Sequence, residues 1–367
     1  MMDVLIAGGG TGGHLFPGIA LAQEVRRRDA QARVIFVGSR RGIEAHAVPK
    51  AGFEVEFLPI SGLRRKGFTG AMKGLAQIPW AMGHALRVVH RFKPQVAVSV
   101  GGYAAGPAVL AAKLLGVPCV VMEQNAIGGV TNRILSRIAR TVFASMPTQG
   151  FDARKVSVVG NPVRSDLLAV RSVPFQVGSP LHLLVFGGSQ GARALNDVML
   201  EIAPELVRGG RWQVTHQTGT ADFERAKKAY ALLDTDAINA VPFIDDMAAA
   251  YAQAHLVISR AGATTLAELT VCGRPAILVP YPFAVDDHQT KNALTLAQTG
   301  AAILVPQHEL TATGLLKHLQ GLADTPQRLV DIAQRAHAAG HPYAARDIVD
   351  ALDEMVGTLV SEDTDHV

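Results

Sequence analysis

Cysteine is almost missing. Cys119 and Cys272 are the only 2 in 367 residues, far apart and each in an apolar stretch. No CxxC pair and no Cys/His spacing for a metal occurs, which excludes zinc-finger, disulfide-scaffold and thioredoxin-type chemistry. The expectation is two buried thiols in a reducing cytosol. No apolar run reaches the ~18 residues of a spanning helix, and Met1-Met2-Asp3 leads into a strand rather than the apolar core of an export signal. Aromatic residues are scarce, at 5%, against plentiful alanine, valine, leucine and glycine, a balance that suits helices packed on parallel sheets. The charge excess is only +4, so a nucleic-acid partner is not indicated. No carboxylate cluster is spaced for Mg²⁺: Asp245-Asp246 and Asp286-Asp287 each precede a helix, where such acids serve as caps. The chemistry is therefore expected to use no metal and no cofactor.

What the chain does have is glycine turns. Gly8-Gly9-Gly10-Thr11-Gly12-Gly13-His14, Gly101-Gly102-Tyr103 and Gly187-Gly188-Ser189-Gln190-Gly191 each follow a short apolar strand, and the first and third open directly onto a helix. Glycine lets the chain turn sharply and lets a ligand approach the amides. A helix N-terminus behind such a turn offers N–H groups and partial positive charge to an anion. One such turn near the start and another near the middle predict two similar α/β domains facing a cleft, with a phosphate-bearing ligand held in it.

Strands and helices alternate throughout. Buried strands are predicted at Val4–Ala7, Val34–Val37, Val96–Val100, Cys119–Met122, Thr141–Phe143 and Val156–Val159, because unbroken apolar runs fit a sheet covered on both faces. Pro17 is placed in the first turn of a helix that Arg26-Arg27-Arg28 closes. Gly160-Asn161-Pro162-Val163-Arg164, followed by Pro174, Gly178 and Pro180, breaks the pattern and marks the linker. The alternation then restarts at Leu183–Phe186, Gln213–His216, Leu256–Ser259 and Ala276–Val279. The expected organisation is a first domain over 1–161, a second over 162–341, and a last helix over 342–367 that crosses back to the first domain and ends in a frayed acidic tail.

The motifs each carry two readings. The first glycine turn fits G-x-G-x-x-G, but Val37-Gly38-Ser39-Arg40-Arg41 lacks the acid that an NAD site places after the second strand, so a phosphate-bearing substrate is favoured over a nicotinamide. His14 is a helix-start histidine bonding its own backbone or a general base, the positive helix end favouring its neutral form. Glu123, at the end of a buried strand, is a base or the orienter of a sugar hydroxyl, and Gln124 is as readily a solvated loop residue. In Ser259-Arg260-Ala261-Gly262-Ala263-Thr264-Thr265-Leu266-Ala267-Glu268, small residues let a diphosphate reach the amides of Ala263, Thr264 and Thr265. Glu268 there either grips a ribose diol or closes a capping box with Thr264 or Thr265. With no metal, the leaving diphosphate falls to helix N-termini and basic residues such as Arg164.

From Ser61 to Gln95 there is no acid at all. Arg64, Arg65, Lys66, Lys73, Arg87, Arg91 and Lys93 are interleaved with Met72, Leu75, Ile78, Trp80, Met82 and Leu86. This is a basic rim around apolar side chains suited to an anionic membrane surface, or ordinary core with solvated charges.

Taken in order, Gly9–His14 with Phe16-Pro17-Gly18, Ser61-Gly62-Leu63-Arg64, Gly101-Gly102-Tyr103, Glu123-Gln124-Asn125, Gly160–Arg164, Gly187–Ala192, Phe243-Ile244-Asp245-Asp246-Met247 and Asp287-His288-Gln289 closely resemble the MurG family of bacterial glycosyltransferases, family 28. The resemblance covers nearly the whole chain and is specific through the joint order of its motifs. It implies a GT-B fold, two Rossmann-like doubly wound parallel-sheet domains facing a central cleft. It also implies inverting transfer of N-acetylglucosamine from UDP-GlcNAc to the C4 hydroxyl of undecaprenyl-diphospho-MurNAc-pentapeptide (lipid I), giving lipid II for peptidoglycan.

On the same ground the donor site takes in Thr11, Gly12, Gly13, Asn125, Arg164, Ser189, Ile244, Ala263, Thr264, Thr265, Leu266, Ala267, Glu268, His288 and Gln289. Gly101, Gly102, Tyr103, Asn132 and Asn196 fall at the acceptor side and cleft. His14 and Glu123 are the catalytic candidates. Implied partners are UDP-GlcNAc, lipid I, anionic phospholipids and other cell-wall enzymes, with the protein held peripherally on the cytoplasmic face of the inner membrane. Some family members carry histidine where this chain has Met122. A thioether carries no proton, which shifts weight to His14 or Glu123. The rival readings are another GT-B glycolipid transferase and a UDP-GlcNAc 2-epimerase.

Overall fold

Every strand among the described residues runs parallel to its neighbours. In the computed structural model, the structure describes residues 2–60, 67–188 and 190–364, with side chains set aside at 67–76 and 359–364. Ser61–Lys66, Ser189 and the end of the acidic tail therefore lie outside the described residues, as do the side chains of Met72, Lys73 and Leu75. The chain divides into two units, Met1–Arg164 with Tyr343–Val367, and Ser165–Pro342.

The first unit holds strands β1 (Val4–Gly8), β2 (Val34–Gly38), β3 (Glu54–Phe57), β4 (Val96–Gly101), β5 (Cys119–Glu123), β6 (Thr141–Ala144) and β7 (Val156–Val158), in the order β3-β2-β1-β4-β5-β6-β7. Its helices are α1 (Gly12–Arg28), α2 (Glu44–Lys50), α3 (Gly67–Phe92), α4 (Ala105–Leu114), α5 (Val130–Leu135) and the last helix of the chain, α14 (Ala344–Thr364). Alternation along β1 sorts its side chains between two cores, as a pleated strand must. Val4 and Ile6 pack with Leu15 and Ile19 of α1 and with Ile348, Val349 and Leu352 of α14. Leu5 and Ala7 pack with Ala85, Val88 and Val89 of α3 and with Ala105 and Ala108 of α4. Arg28 of α1 ties α14 down by hydrogen bonds to Asp350 (2.6 Å) and the Arg346 carbonyl (2.9 Å).

The second unit repeats the plan. Its strands are β8 (Leu181–Phe186), β9 (Trp212–Gln217), β10 (Ile238–Val241), β11 (Leu256–Ser259), β12 (Ala276–Leu278) and β13 (Ile303–Leu304), in the order β10-β9-β8-β11-β12-β13. Helices α6 (Asp166–Arg171), α7 (Arg193–Arg208), α8 (Phe223–Ala231), α9 (Met247–Gln253), α10 (Ala263–Cys272), α11 (His288–Ala297), α12 (Ala312–Asp324) and α13 (Gln327–Ala338) surround it. Both sheets have the doubly wound order, reversing between β1 and β4 in one unit and between β8 and β11 in the other. Such reversals are where open α/β sheets bind ligands, beyond the carboxyl ends of the strands.

Three local expectations change. Pro17 lies beyond the first turn of α1, because the glycine turn itself starts the helix at Gly12. The helix expected from Gln289 begins at His288. β7, expected as a buried strand over Val156–Val159, is an edge strand over Val156–Val158 with Ser157 and Val158 exposed. Both cysteines are buried, as expected, and burial pushes the Cys119 thiol up to about 11.

Candidate active site

At the carboxyl end of β1 the backbone of Gly8 has φ +137°, and a Cβ there would meet the Gly101 carbonyl oxygen at 2.1 Å, so the first and second glycine turns interlock. The Gly9 amide donates to the Gly101 carbonyl (3.2 Å). The Gly10 amide donates to Glu44 Oε2 (2.8 Å), and Glu44 Oε1 accepts from the amide and hydroxyl of Ser39 (2.8 and 2.9 Å). Glu44 is buried. The acid missing directly after β2 is thus supplied from α2, but its oxygens close on the protein's own donors rather than standing open to a ribose. The amides of Gly9 and Gly10 are spent in the same way. Sequence reasoning missed Glu44, whose only signal was an acid in the first turn after a glycine-flanked strand end.

His14, half-buried on the first turn of α1, meets Gln124 through Nδ1 and Oε1 (2.8 Å). Gln124 is buried, not a solvated loop residue, and its Nε2 donates to the Met122 carbonyl (3.3 Å). Glu123, 1% exposed, is fully engaged. Oε1 accepts from the amide and side chain of Asn125 (3.0 and 3.2 Å), and Oε2 from the Gly129 amide and Asn132 Nδ2 (both 3.0 Å). This carboxylate folds the turn after β5 around itself and pins α5 to it. Asn132 is buried, also donates to the Met122 carbonyl (3.0 Å), and accepts from Ser99 Oγ (2.9 Å). The Met122 side chain belongs to the core. Tyr103, past β4, is 42% exposed.

In the second unit a Cβ on Gly191 (φ +74°) would come 2.0 Å from the Thr218 carbonyl oxygen, so the turn after β8 interlocks with the end of β9. Asn196 lies behind that junction rather than at an open surface. It is buried and donates to the Thr218 carbonyl (2.9 Å) and Asp222 Oδ2 (2.8 Å), while its Oδ1 meets Nε2 of buried His216 (3.1 Å). After β11, helix α10 starts at Ala263 with Gly262 as its cap and no side-chain cap bond, so Thr264 and Thr265 do not form the capping box. Glu268, one turn in and half-buried, accepts from the Tyr251 hydroxyl (3.0 Å). Arg260, at the end of β11, donates to the Val279 and Pro280 carbonyls (both 3.1 Å) and to Gln307 Oε1 (2.7 Å), and burial lowers its pKa.

Its neighbour Tyr281 donates its amide to Gln289 Oε1 (2.9 Å), and His288 Nδ1 bonds the Val285 carbonyl (2.7 Å). The strand ends of β11 and β12 and the start of α11 thus gather Ala263–Glu268, His288 and Gln289. Half-buried Ile244 follows β10, on the other side of β8, and Arg164 closes the first unit. Arg260, a cation beside a helix start without a side-chain cap, was quoted in the motif but not recognised as a site residue.

The sequence matches the glycosyltransferase family 28 N-terminal domain over residues 4–144 and the family 28 C-terminal domain over residues 182–351. It is 47% identical to the UDP-N-acetylglucosamine–N-acetylmuramyl-(pentapeptide) pyrophosphoryl-undecaprenol N-acetylglucosamine transferase of Anaeromyxobacter dehalogenans, over 97% of this chain and 93% of that one. The crystal structure of Acinetobacter baumannii MurG superposes with a TM-score of 0.78 at 33% identity, covering 96% of this chain and all of that one. The chain belongs to the MurG family. The two parallel sheets are accordingly those of a GT-B glycosyltransferase. The UDP-GlcNAc 2-epimerase of Neisseria meningitidis, bound to UDP-GlcNAc, has a TM-score of 0.67 at 15% identity over 96% of this chain and 100% of that one, a likeness of fold alone. Within the MurG frame, the first unit assembles a polar network around His14, and the second a helix start without a side-chain cap beside a half-buried cation.

Proposed function

We propose that this chain transfers N-acetylglucosamine from UDP-GlcNAc to the C4 hydroxyl of lipid I with inversion, giving lipid II. Its near full-length identity to transferases of that name carries the reading. In this proposal His14 takes the proton of the acceptor hydroxyl as its oxygen attacks the anomeric carbon from the face opposite UDP. The C1–O bond to the diphosphate breaks, and the charge on UDP is met by the start of α10 and by Arg260 and Arg164. Glu268 takes the ribose diol. Glu123 organises the turn rather than abstracting the proton, because both its oxygens are already engaged by four N–H donors.

The test is product analysis with UDP-GlcNAc and a short-chain lipid I analogue. A disaccharide product is expected with acceptor present, and unchanged UDP-GlcNAc without it. Epimerised sugar in the acceptor-free incubation would install the 2-epimerase reading instead. His14→Ala should lose about 10²- to 10⁴-fold in kcat, the usual span for a general base.

Attachment to the cytoplasmic membrane surface belongs to the same proposal, since lipid I is anchored there. No helix among the described residues is long and apolar enough to cross a membrane. Helices α3, α4 and α5 pack in succession, and they leave Trp80 (71%), Leu114 (65%) and Ile134 (58%) exposed. A shallow cavity beside α5 is lined by Arg133, Arg137 and Lys155 with Val130 and Ile134. Met82 and Leu86 instead pack on the core, and Arg91 pairs with Glu56, so the surface is narrower than the basic stretch suggested. Trp80→Glu with Leu114→Glu should weaken binding to anionic vesicles, and unchanged binding would remove this face from the proposal.

A further inference from the structure

We infer that Gln124 is a positioning residue that holds His14 as its Nδ1–H tautomer and so presents Nε2 as the lone pair that receives the acceptor proton. The inference rests on the reading of His14 as the base. It follows from which atoms are able only to accept. The Met122 carbonyl is one such atom, and it faces the Gln124 amide at 3.3 Å. A carbonyl opposite a carbonyl repels, so the amide nitrogen must point there and the amide oxygen must point at His14. That oxygen also only accepts, and it lies 2.8 Å from Nδ1. Nδ1 must therefore carry the proton. A neutral imidazole has one N–H and one lone pair, so Nε2 is left bare.

The amide has no easy alternative orientation. Gln124 is 1% exposed, so it cannot turn to water for a replacement partner. The carbonyl that orients it also accepts from Asn132 Nδ2 at 3.0 Å, and Asn132 is fixed in its own orientation by the Glu123 carboxylate at 3.0 Å. The tautomer of the base is thereby set by groups fixed within the fold before any substrate arrives. This is pre-organisation: no rotation or proton shuffle is needed when the acceptor hydroxyl docks.

The test uses the full chain labelled with ¹⁵N in its histidine rings, with the His14 signals assigned by their loss in His14→Ala. The expected spectrum has the His14 proton on Nδ1, and Gln124→Met, close in length and without an acceptor oxygen, loses that preference. The same variant should drop kcat by about 10- to 100-fold, within the range of a general base made less available, while KM for UDP-GlcNAc stays unchanged. A proton on Nε2 in the wild-type chain, an identical ring spectrum in Gln124→Met, or a variant whose loss lies in KM would each overturn the positioning role. The wild-type spectrum does so without depending on any variant's folding. Undiminished activity in His14→Ala alongside an Nδ1–H signal would sink the base assignment and leave the tautomer assignment standing.

Discussion

The two units share a strand order but not an electrostatic plan. In the first, the buried groups behind the glycine turns are carboxylates: Glu44 takes the Gly10 amide, and Glu123 takes four donors around β5. In the second, the switch point pairs a helix start without a side-chain cap with the half-buried cation Arg260. A helix N-terminus attracts anions; α1 and α10 both start without a side-chain cap, so the units differ in the sign of the charge held beside that start. That difference fits the proposed division of labour, with proton transfer assigned to the first unit and the departing diphosphate to the second. His14 and His216 follow the contrast. His14 has its lone pair on Nε2, half-exposed. In His216 the Asn196 oxygen takes the Nε2 proton, and Nδ1 accepts from Tyr230 (2.7 Å) in a closed interior.

The interlocked turns are the feature common to both, and breaking them should have the largest effect. Gly8→Ala and Gly191→Ala each force a Cβ onto a carbonyl oxygen at positive φ, and each should cost its own unit about 3–5 kcal/mol, read by urea unfolding. A loss under about 1 kcal/mol in either would show that the turns are not locked. The second effect is specific to the second unit. Burial holds His216 down to about 4, only partly opposed by Asp222. The unfolded chain protonates its histidines near the ordinary value of about 6.5, so between the two pH values the unfolded state binds the extra proton. Stability from His216 is therefore complete above about pH 6.5 and falls as pH drops toward 4, by about 3 kcal/mol at most. His216→Gln should flatten that part of the stability-against-pH curve, and an unchanged slope would remove His216 as its source.

Third, Glu44→Gln keeps the shape but turns an amide nitrogen toward a buried N–H. It should cost the first unit about 2–3 kcal/mol in thermal or urea unfolding, with KM for UDP-GlcNAc little changed. A rise in KM without loss of stability would move Glu44 from scaffold to ligand. Smallest is Arg91→Ala, which removes an exposed pair with Glu56. It should shift stability by less than about 0.5 kcal/mol.

The sheets were legible wherever strands are buried on both faces, because continuous apolar runs such as Val96–Val100 leave little choice. The strands not foreseen are three of the four outer ones. β3 is a half-exposed Glu-Val-Glu-Phe segment, β10 reads Ile-Asn-Ala-Val, and β13 has two residues. Edge strands need less hydrophobicity, so their signal fades into the loops. Within the candidate site, sequence reasoning found the residues at strand ends, which follow from topology. It left Glu123 and His14 as alternative bases, because the donors already gathered around each group are visible only in three dimensions. Glu44 and Gln124 were invisible for the same reason: a carboxylate or amide in a loop reads as solvated until its partners from distant strands are known.

The Met122 carbonyl is a main-chain atom, present whatever side chain stands at that position. An anchor of this kind survives replacement of the residue that bears it. Position 122 is therefore free to answer to the packing of its sheet, and a thioether there leaves the proton map of the neighbouring imidazole as it was.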